Sequence, residues 1–290
     1  MEGAEANLKF LFIIIILSIL FKLIKKSYQN TKDVQINEIM VNKHLSPEQN
    51  PSLSILQLSD LHLENISISP EELYQKIKHQ PIDIITLTGD FLDRSWTIPK
   101  LIPYLLVLNK INARYGMYAV LGNHDYVLKE KNLDKLIQTL EDHNCKVLRN
   151  QNETIHVHGR PVNIIGVDDF STKRSDLTAS YANLCDGTNL VLTHDPNVVL
   201  NMKDYHFDYL LSGHLHGGQI CYPKAYHLVK MGKLPRMNII KGMHMIDGKP
   251  YYISEGLGQT GINIRVGSRP EITIHKLPLF SNTKQSQQAI

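Results

Sequence analysis

The chain has 290 residues, which predicts one or two domains, and its 42% hydrophobic and 20% charged residues are ordinary for a globular protein. Its formal net charge of +3 is too small to indicate a nucleic-acid-binding protein. Cys145, Cys185 and Cys221 are odd in number and widely spaced, so they predict free thiols or small buried side chains. Composition therefore argues against a nucleic-acid-binding protein and against a fold held by disulfides. It does not indicate which reaction, if any, the protein catalyses.

An apolar run near the N-terminus predicts a membrane anchor over residues 1–26. The run extends from Phe10 to Phe21 with a lysine at each end, and residues 8–24 are just long enough to span a bilayer or can lie in one leaflet. A cleaved signal peptide fits less well because no small-residue cleavage site follows, and a buried helix is a further alternative. The lysines that follow the run are Lys22, Lys25, Lys26 and Lys32. The positive-inside rule then predicts a protein held at the cytoplasmic face of the inner (cell) membrane.

The rest of the chain alternates strand and helix signals. Residues 27–52 are predicted to form a polar linker with an edge strand around Val34–Val41. Residues 53–278 are predicted to form a single domain, and residues 279–290 a polar tail. Strands are predicted at Leu53–Leu58, Ile82–Thr88, Tyr115–Leu121, Cys145–Leu148, Thr154–His158, Val162–Val167, Leu190–Thr193, Leu210–Ser212, Tyr251–Ser254 and Ile272–His275. Helices are predicted to begin at Ser69-Pro70 and to cover Pro99–Lys110, Leu133–His143 and the region of Tyr181.

Five of these strands end in side chains that can bind metal. They are Asp60 and His62, Asp90, Asn123 and His124, His194, and His214 and His216. Strand carboxyl ends are where open α/β sheets place their sites. In extended backbone His214 and His216 would point the same way, at one site or at two neighbouring sites. This mixture of oxygen and imidazole donors suits transition metals and is too large for one ion. The pattern indicates two bridged ions, the machinery of displacement at phosphorus.

In sequence and order these motifs resemble those of the calcineurin-like metallophosphoesterases, over roughly Leu53 to Leu277. The motifs are Asp60-Leu61-His62, Gly89-Asp90-Phe91-Leu92-Asp93, Gly122-Asn123-His124-Asp125, His194 and Gly213-His214-Leu215-His216. The resemblance implies one metal bound by Asp60, His62, Asp90 and His216. It implies a second bound by Asp90, Asn123, His194 and His214, so that Asp90 bridges two divalent ions. Manganese is the expected metal, with Fe, Zn, Ni or Mg as alternatives.

The same resemblance implies a catalytic role for three further residues. His124 would contact the phosphoryl group and help the leaving oxygen to depart, while Asp93 and Asp125 would hold His124 and the backbone of the metal loops. The implied fold, of the α+β or α/β class, is a four-layer sandwich of two packed mixed β-sheets flanked by helices. Here that domain would follow an N-terminal hydrophobic anchor helix.

A narrower resemblance is to the membrane-anchored bacterial branch of this family, which includes a UDP-2,3-diacylglucosamine pyrophosphatase of lipid A synthesis. It is carried by Gly217-Gly218-Gln219, Gly256-Leu257-Gly258, Ile264-Arg265 and Arg269-Pro270-Glu271-Ile272, while the Cys-Arg-Arg stretch of the more widespread enzyme of that activity is missing. It implies cleavage of UDP-2,3-diacylglucosamine to a lipid monophosphate and UMP. The alternatives are a phosphodiesterase or phosphatase of a nucleotide or other small ester, a metal-free scaffold, and a nuclease, which the low charge disfavours.

Cationic residues in the C-terminal part are the candidate contacts to a lipid or small-molecule phosphoester. The segment Gln219–Lys249 mixes apolar and cationic side chains, so it is either a solvated loop or a flap over an acyl groove. The predicted substrate-binding residues are Arg265, Arg269, Arg236 and Lys224, because guanidinium and ammonium groups suit phosphate. The expected partners are this substrate and the membrane, with no nucleic acid and no protein partner.

Overall fold

The computed structural model describes residues 2–41 and 51–279. In chain order its elements are α1 (Glu2–Asn30), β1 (Gln35–Met40), β2 (Ser52–Leu58), α2 (Pro70–Ile77), β3 (Ile84–Thr88), α3 (Ile98–Ile111), β4 (Met117–Val120), α4 (Glu130–Glu141), β5 (Cys145–Val147), β6 (Gln151–Val157), β7 (Arg160–Gly166), α5 (Leu177–Ser180), β8 (Thr188–Leu192), β9 (Tyr209–Ser212), α6 (Lys233–Arg236), β10 (Gly242–Ile246), β11 (Lys249–Ile253) and β12 (Glu271–Pro278). Short 3-10 helices cover Ser95–Thr97, Asp125–Val127, Pro196–Asn201, His216–Gly218 and Tyr226–Met231. Part of the predicted linker, residues 42–50, and the predicted tail from residue 280 onward lie outside the described residues.

Within the described residues the strands form two mixed sheets. The first has the order β1-β12-β2-β3-β4-β5 and the second the order β10-β11-β9-β8-β7-β6. Strands β2 to β5 are parallel to one another, as are β7, β8, β9 and β11, while β12 is antiparallel to β2 and β6 is antiparallel to β7. The central strands are buried on both faces, which explains why apolar residues form the larger part of β2, β3 and β8.

The two sheets pack face to face, and helices cover their outer faces. Ile55, Ile84 and Val120 of the first sheet share a buried cluster with Leu190 and Leu211 of the second. Helices α2, α3 and α4 cover the outer face of the first sheet, while α6 and the short helices of the C-terminal half cover the second. The predicted arrangement of two mixed sheets with flanking helices is confirmed.

Local signals placed most elements within a few residues. Ser69 caps α2 with the predicted reciprocal bonds, since its hydroxyl accepts from the Glu72 N–H and the Glu72 carboxylate accepts from the Ser69 N–H. The predicted edge strand is present as β1, which pairs in parallel with β12. The segment Gln219–Lys249 is not one loop, because its last part forms β10 and joins the second sheet beside β11.

Helix α1 covers the predicted anchor and continues to Asn30. The large apolar side chains from Phe10 to Ile24 are exposed. In the part of the chain that the structure describes, no helix has both the length and the apolarity needed to cross a membrane, so the spanning form of the predicted anchor is not found there. The end of α1 is fastened to the domain, because Asn30 Nδ2 donates to the Arg265 carbonyl at 2.8 Å and the Arg265 N–H donates to the Ser27 carbonyl at 2.9 Å.

Candidate metal centre

The candidate ligands lie where the carboxyl ends of β2, β3 and β4 in one sheet meet those of β8 and β9 in the other. The loops approach one another so closely that two positions require glycine. A Cβ atom on Gly122 would overlap the Asp90 carboxylate, and one on Gly213 would overlap Ser59 and Asp60. The glycines of the motifs therefore serve to bring carboxylates and imidazoles together.

One group of donors consists of Asp60, His62 and His216, all of them buried. The two ring nitrogens His62 Nε2 and His216 Nε2 lie 3.2 Å apart, and His216 Nε2 lies 3.3 Å from Asp60 Oδ1. Burial lowers the pKa of His216 to about 3, which keeps its imidazole neutral at physiological pH. A neutral imidazole is the form that binds metal.

The second group consists of Asp90, His194 and His214, with Asn123 beside it. His194 Nε2 lies 3.1 Å from Asp90 Oδ2 and 3.2 Å from His214 Nδ1. The same Asp90 Oδ2 lies 3.6 Å from His62 Nε2 of the first group. Asp90 therefore lies between the two groups, the position that the bridging role requires.

In His194 and His62, hydrogen bonds made by Nδ1 determine that Nε2 faces the centre. His194 Nδ1 donates to the Thr88 carbonyl at 2.8 Å, and His62 Nδ1 bonds to Asp93 Oδ1 at 2.9 Å. In both rings Nε2 is consequently left free to bind a cation. The Asp90 carboxylate is oriented similarly, since its Oδ1 accepts from the His124 N–H at 2.8 Å and leaves Oδ2 for the centre.

The backbone of the ligand loops is held in a conformation that non-glycine residues rarely adopt. The φ angles are 50° at Asp60, 36° at His62, 53° at Asp90, 73° at His214 and 49° at His216. Such strain persists only where the surrounding structure enforces it, and it clusters at functional sites. The backbone at His214 and His216 is not extended, and of the two arrangements considered, one site or two neighbouring sites, the structure shows the second.

The donors fit two divalent cations. Asn123 Oδ1 is buried and has no hydrogen-bond partner among the described residues, and the ring nitrogens His62 Nε2 and His216 Nε2 lie only 3.2 Å apart. An unpartnered buried amide oxygen is costly unless a ligand satisfies it. Oxygen and imidazole together suit manganese, iron, zinc or nickel. Asp60, His62, Asp90 and His216 would hold one ion, and Asp90, Asn123, His194 and His214 the other.

His124 lies at the rim of this centre, and its side chain is 31% exposed. Its Nδ1 contacts Asp93 Oδ1 at 2.8 Å, and the same oxygen bonds to His62. Burial lowers the pKa of His124, but the hydrogen bond to Asp93 and the charge of Asp90 outweigh it and raise the pKa to about 9. His124 thus carries a proton at neutral pH and can donate it from Nε2.

The two predicted supporting aspartates hold different parts of the site. Asp93 bonds to His62 and His124, and although burial opposes its ionisation, these hydrogen bonds keep the pKa of its carboxyl below the ordinary value. Asp125 accepts from the N–H groups of Asp90 and Gly122, at 3.0 and 2.9 Å, and of Phe91. Burial, with the charge of Asp90, raises the pKa of Asp125 to about 7. Asp125 therefore fixes the backbone of two ligand loops.

The predicted substrate cations do not gather at the centre. Arg265 is fully buried and donates to the backbone carbonyls of Glu255, Arg269, Gly256 and Gly258, so its prediction as a substrate contact is wrong. Arg269 bonds instead to Asp33 at 3.0 Å. Arg236 is exposed and donates to the Val229 carbonyl. Lys224 is exposed, and it does not line the cavity beside the donor groups.

Sequence reasoning missed several residues that support the centre. Glu64 accepts from the N–H groups of Asp93 and Arg94 and so holds the loop that carries Asp93. Ser59 donates to Asp60 Oδ2 at 2.6 Å. No sequence pattern near Glu64 indicates this role. Ser59 directly precedes the Asp60-Leu61-His62 motif, so its contact with Asp60 could have been predicted. Lys173, which lines a cavity beside the second donor group, was also missed, whereas Lys230 of the same cavity belongs to the cationic segment Gln219–Lys249.

Comparisons with known proteins identify the family. Residues 53–218 match the model of the calcineurin-like phosphoesterases. The chain is 61% identical over 252 residues to the uncharacterized metallophosphoesterase YkoQ of Bacillus subtilis (strain 168), covering 87% of this chain and 93% of that one. It is 29% identical over 251 residues to the uncharacterized metallophosphoesterase YkuE of the same strain, covering 84% and 85%. It is 27% identical over 275 residues to the UDP-2,3-diacylglucosamine pyrophosphatase LpxG of Chlamydia muridarum (strain MoPn / Nigg), covering 77% and 82%. The chain therefore belongs to the calcineurin-like phosphoesterase family and is a metal-dependent phosphohydrolase.

Proposed function

We propose that the chain hydrolyses a phosphoanhydride bond in an amphiphilic substrate, and that UDP-2,3-diacylglucosamine, cleaved to a lipid monophosphate and UMP, is that substrate. The observation that carries the proposal is the position of Asp90 Oδ2 between two sets of imidazoles, with His124 at the rim. The motif resemblance to the membrane-anchored branch and the 27% identity to LpxG support the choice of substrate.

Two divalent cations, with manganese as our choice, would acidify a water molecule and offset the charge that develops on the phosphoryl oxygens. The chain's own residues supply the rest of the reaction. His124 lies beside Asp90 and holds a proton that the leaving oxygen needs. Asp93 orients His124 through Nδ1, and Asp125 fixes the loops of Asp90 and Asn123. A positioned acid of this kind contributes about 10²–10⁴-fold to the rate.

We further propose that α1 holds the enzyme on the cytoplasmic face of the cell membrane. The exposed apolar side chains from Phe10 to Ile24 support an arrangement in which the helix lies in one leaflet. Lys22, Lys25 and Lys26 would contact anionic headgroups on that side. An enzyme so placed reaches a diacylated substrate without extracting it from the bilayer.

Turnover of UDP-2,3-diacylglucosamine in mixed vesicles, compared with UDP-glucose and a cyclic nucleotide and measured with Mn²⁺ and with Mg²⁺, tests the substrate. The proposal expects the acylated sugar nucleotide to have the highest kcat/KM. A nucleotide or other small ester is the second candidate, because the cavity beside the centre, of about 700 Å³, is open to such molecules. A higher kcat/KM for either soluble compound would favour that candidate and overturn the lipid substrate.

Deletion of residues 1–26 tests the role of α1, because the cut leaves the contacts of Ser27 and Asn30 with Arg265 in place. The truncated chain should load metal and hydrolyse bis(p-nitrophenyl) phosphate like the full chain. Its turnover of the diacylated substrate in vesicles should fall, since the helix raises the enzyme's effective concentration at the membrane. Equal turnover of the vesicle-bound substrate by both forms would contradict the membrane role.

A further inference from the structure

A cavity of about 700 Å³ opens directly beside the second donor group. Asn123 and His214 form its wall on the side of the metal centre. Phe170 and Met231 add apolar surface to its lining, and Lys173 and Lys230 add two positive charges. A substrate whose phosphorus lies at the centre therefore has two ammonium groups and an apolar surface available in the adjoining cavity.

The two lysines come from segments that are far apart in the chain. Lys173 lies in the loop 168–176 after β7, and Lys230 lies in the short helix Tyr226–Met231. Among the described residues, neither ammonium group has an acidic partner or a hydrogen bond. By contrast, Lys241 and Lys146 are each paired with a glutamate. Asp195 also lines the cavity, but its carboxylate accepts two hydrogen bonds from Asn197. The two unpaired ammonium groups outnumber this one carboxylate, which indicates a site for an anion.

The loop that carries Lys173 is held by its own hydrogen bonds. The buried Asp169 accepts from the Ser171 hydroxyl at 2.7 Å and from the Thr172 N–H at 2.8 Å. Lys173 itself has a φ angle of 61°, a conformation that a lysine rarely adopts. Asp168 accepts a hydrogen bond from the Tyr126 hydroxyl at 2.7 Å. This bond joins the loop to the segment just after His124. The backbone position of Lys173 is thus held by a loop that is hydrogen-bonded to the segment after His124.

The segment that carries Lys230 is also fixed. Asn197 Nδ2 donates to the Met231 carbonyl at 3.0 Å, and Asn197 Oδ1 accepts from the Leu234 N–H at 3.1 Å. Gly232, with a φ angle of 131°, lies so close to Asn197 that a Cβ atom there would overlap the amide. Asn197 stands in the 3-10 helix that follows His194, so both lysines are attached to segments adjoining ligand loops.

We propose that Lys173 and Lys230 bind the second phosphate of a phosphoanhydride substrate, while Phe170 and Met231 contact the group attached to it. This inference rests on the proposed function. Water attacks the phosphorus held at the donor groups, forms the new P–O bond and gives up a proton to solvent. The bridging P–O bond breaks, and the leaving phosphate takes a proton from His124. The products are two phosphate monoesters, and the lysines offset the charge that the leaving one acquires. The site would thereby select diphosphates over simple diesters.

A pair of matched substrates tests the inference with the full chain and Mn²⁺. Bis(p-nitrophenyl) diphosphate and bis(p-nitrophenyl) phosphate carry the same aryl groups and differ by the second phosphate. Lys173→Ala and Lys230→Ala should each raise KM for the diphosphate about 10-fold, the loss expected for one charge-assisted hydrogen bond. KM for the monophosphate diester should change by less than about twofold, since that substrate carries no charge at the lysines.

Lys203→Ala is the control, because Lys203 is also an exposed lysine but does not line the cavity. It should change neither KM, and Lys173→Arg should restore most of the diphosphate affinity. If the two alanine variants leave both substrates unchanged, or weaken both equally, the inference is wrong while the hydrolase activity stands. If the wild-type chain hydrolyses neither compound, the proposed function fails first, and the inference fails with it.

Discussion

Arg265→Lys gives the sharpest test of how the fold supports the metal centre. Arg265 Nη1 donates to the carbonyls of Glu255 at 2.7 Å and Arg269 at 3.1 Å, and Nη2 donates to those of Gly258 at 2.7 Å and Gly256 at 3.2 Å. Burial lowers the pKa of Arg265 to about 10, so the group is still charged at neutral pH. A lysine keeps the charge but lacks the planar fork, and it cannot reach both pairs of carbonyls.

The magnitude follows from the bonds that are lost. Removing two hydrogen bonds to a charged donor, at about 1.5 kcal/mol or more each, predicts a loss of ~3 kcal/mol in the free energy of unfolding. The loop at residues 256–258 also supports the first donor group, since the Gly258 N–H donates to the Asp60 carbonyl at 2.7 Å and the Leu257 N–H donates to the Ser59 carbonyl at 2.9 Å. Metal affinity should therefore fall about 10–100-fold, as for other residues that orient ligands.

Urea unfolding of the chelator-treated chain measures the first effect, and titration with Mn²⁺ measures the second. Arg269→Lys is the matched control, because that side chain is 31% exposed and bonds to Asp33, so its cost should stay below ~1 kcal/mol. The reasoning would be refuted if Arg265→Lys kept wild-type stability and metal affinity. A raised KM for a diester as the sole defect would restore Arg265 as a substrate contact.

Three further predictions follow from the site and from a buried histidine. Asp90→Ala should remove both metals and all turnover, whereas Asn123→Ala should mainly weaken one metal site. Metal analysis of the purified variants tests this. Wild-type metal content in Asp90→Ala would disprove the bridging role of Asp90. His124→Ala should retain both metals and lose about 10²–10⁴-fold in kcat, and a loss of metal would instead make His124 a ligand. Burial lowers the pKa of His275 in the folded chain to about 3. Below pH 6.5 the His275 imidazole therefore binds a proton in the unfolded chain but stays neutral in the folded one. The contribution of His275 to stability is therefore complete above pH 6.5 and falls by about 1.4 kcal/mol per pH unit towards pH 3. In urea unfolding between pH 6 and pH 4, the free energy of unfolding of His275→Gln should fall less steeply with pH than that of the wild type. Equal slopes for the two proteins would count against this role of His275.

The sequence by itself determined the elements and the types of ligand. Each strand that carries a ligand is a short apolar run followed at once by its aspartate, asparagine or histidine, a signal that is complete within about ten residues. The cap of α2 at Ser69 is equally local, because its partner Glu72 lies three residues away. The order of the motifs then indicated a dinuclear centre and the family, without any knowledge of distances.

The resemblance implied which donors share an ion, but only the tertiary structure showed that these side chains meet and which cationic side chains lie beside them. His62 and His216 lie 154 residues apart in the chain, and their pairing depends on how the two sheets pack. Nothing near Arg265 in the sequence shows that its guanidinium is enclosed by carbonyls from residues 255–269, and nothing near Lys173 or Lys230 shows that they share a cavity. The physical reason is that periodicity and capping report contacts a few residues apart. The burial and partners of a charged side chain are set by segments that meet only when the chain has folded.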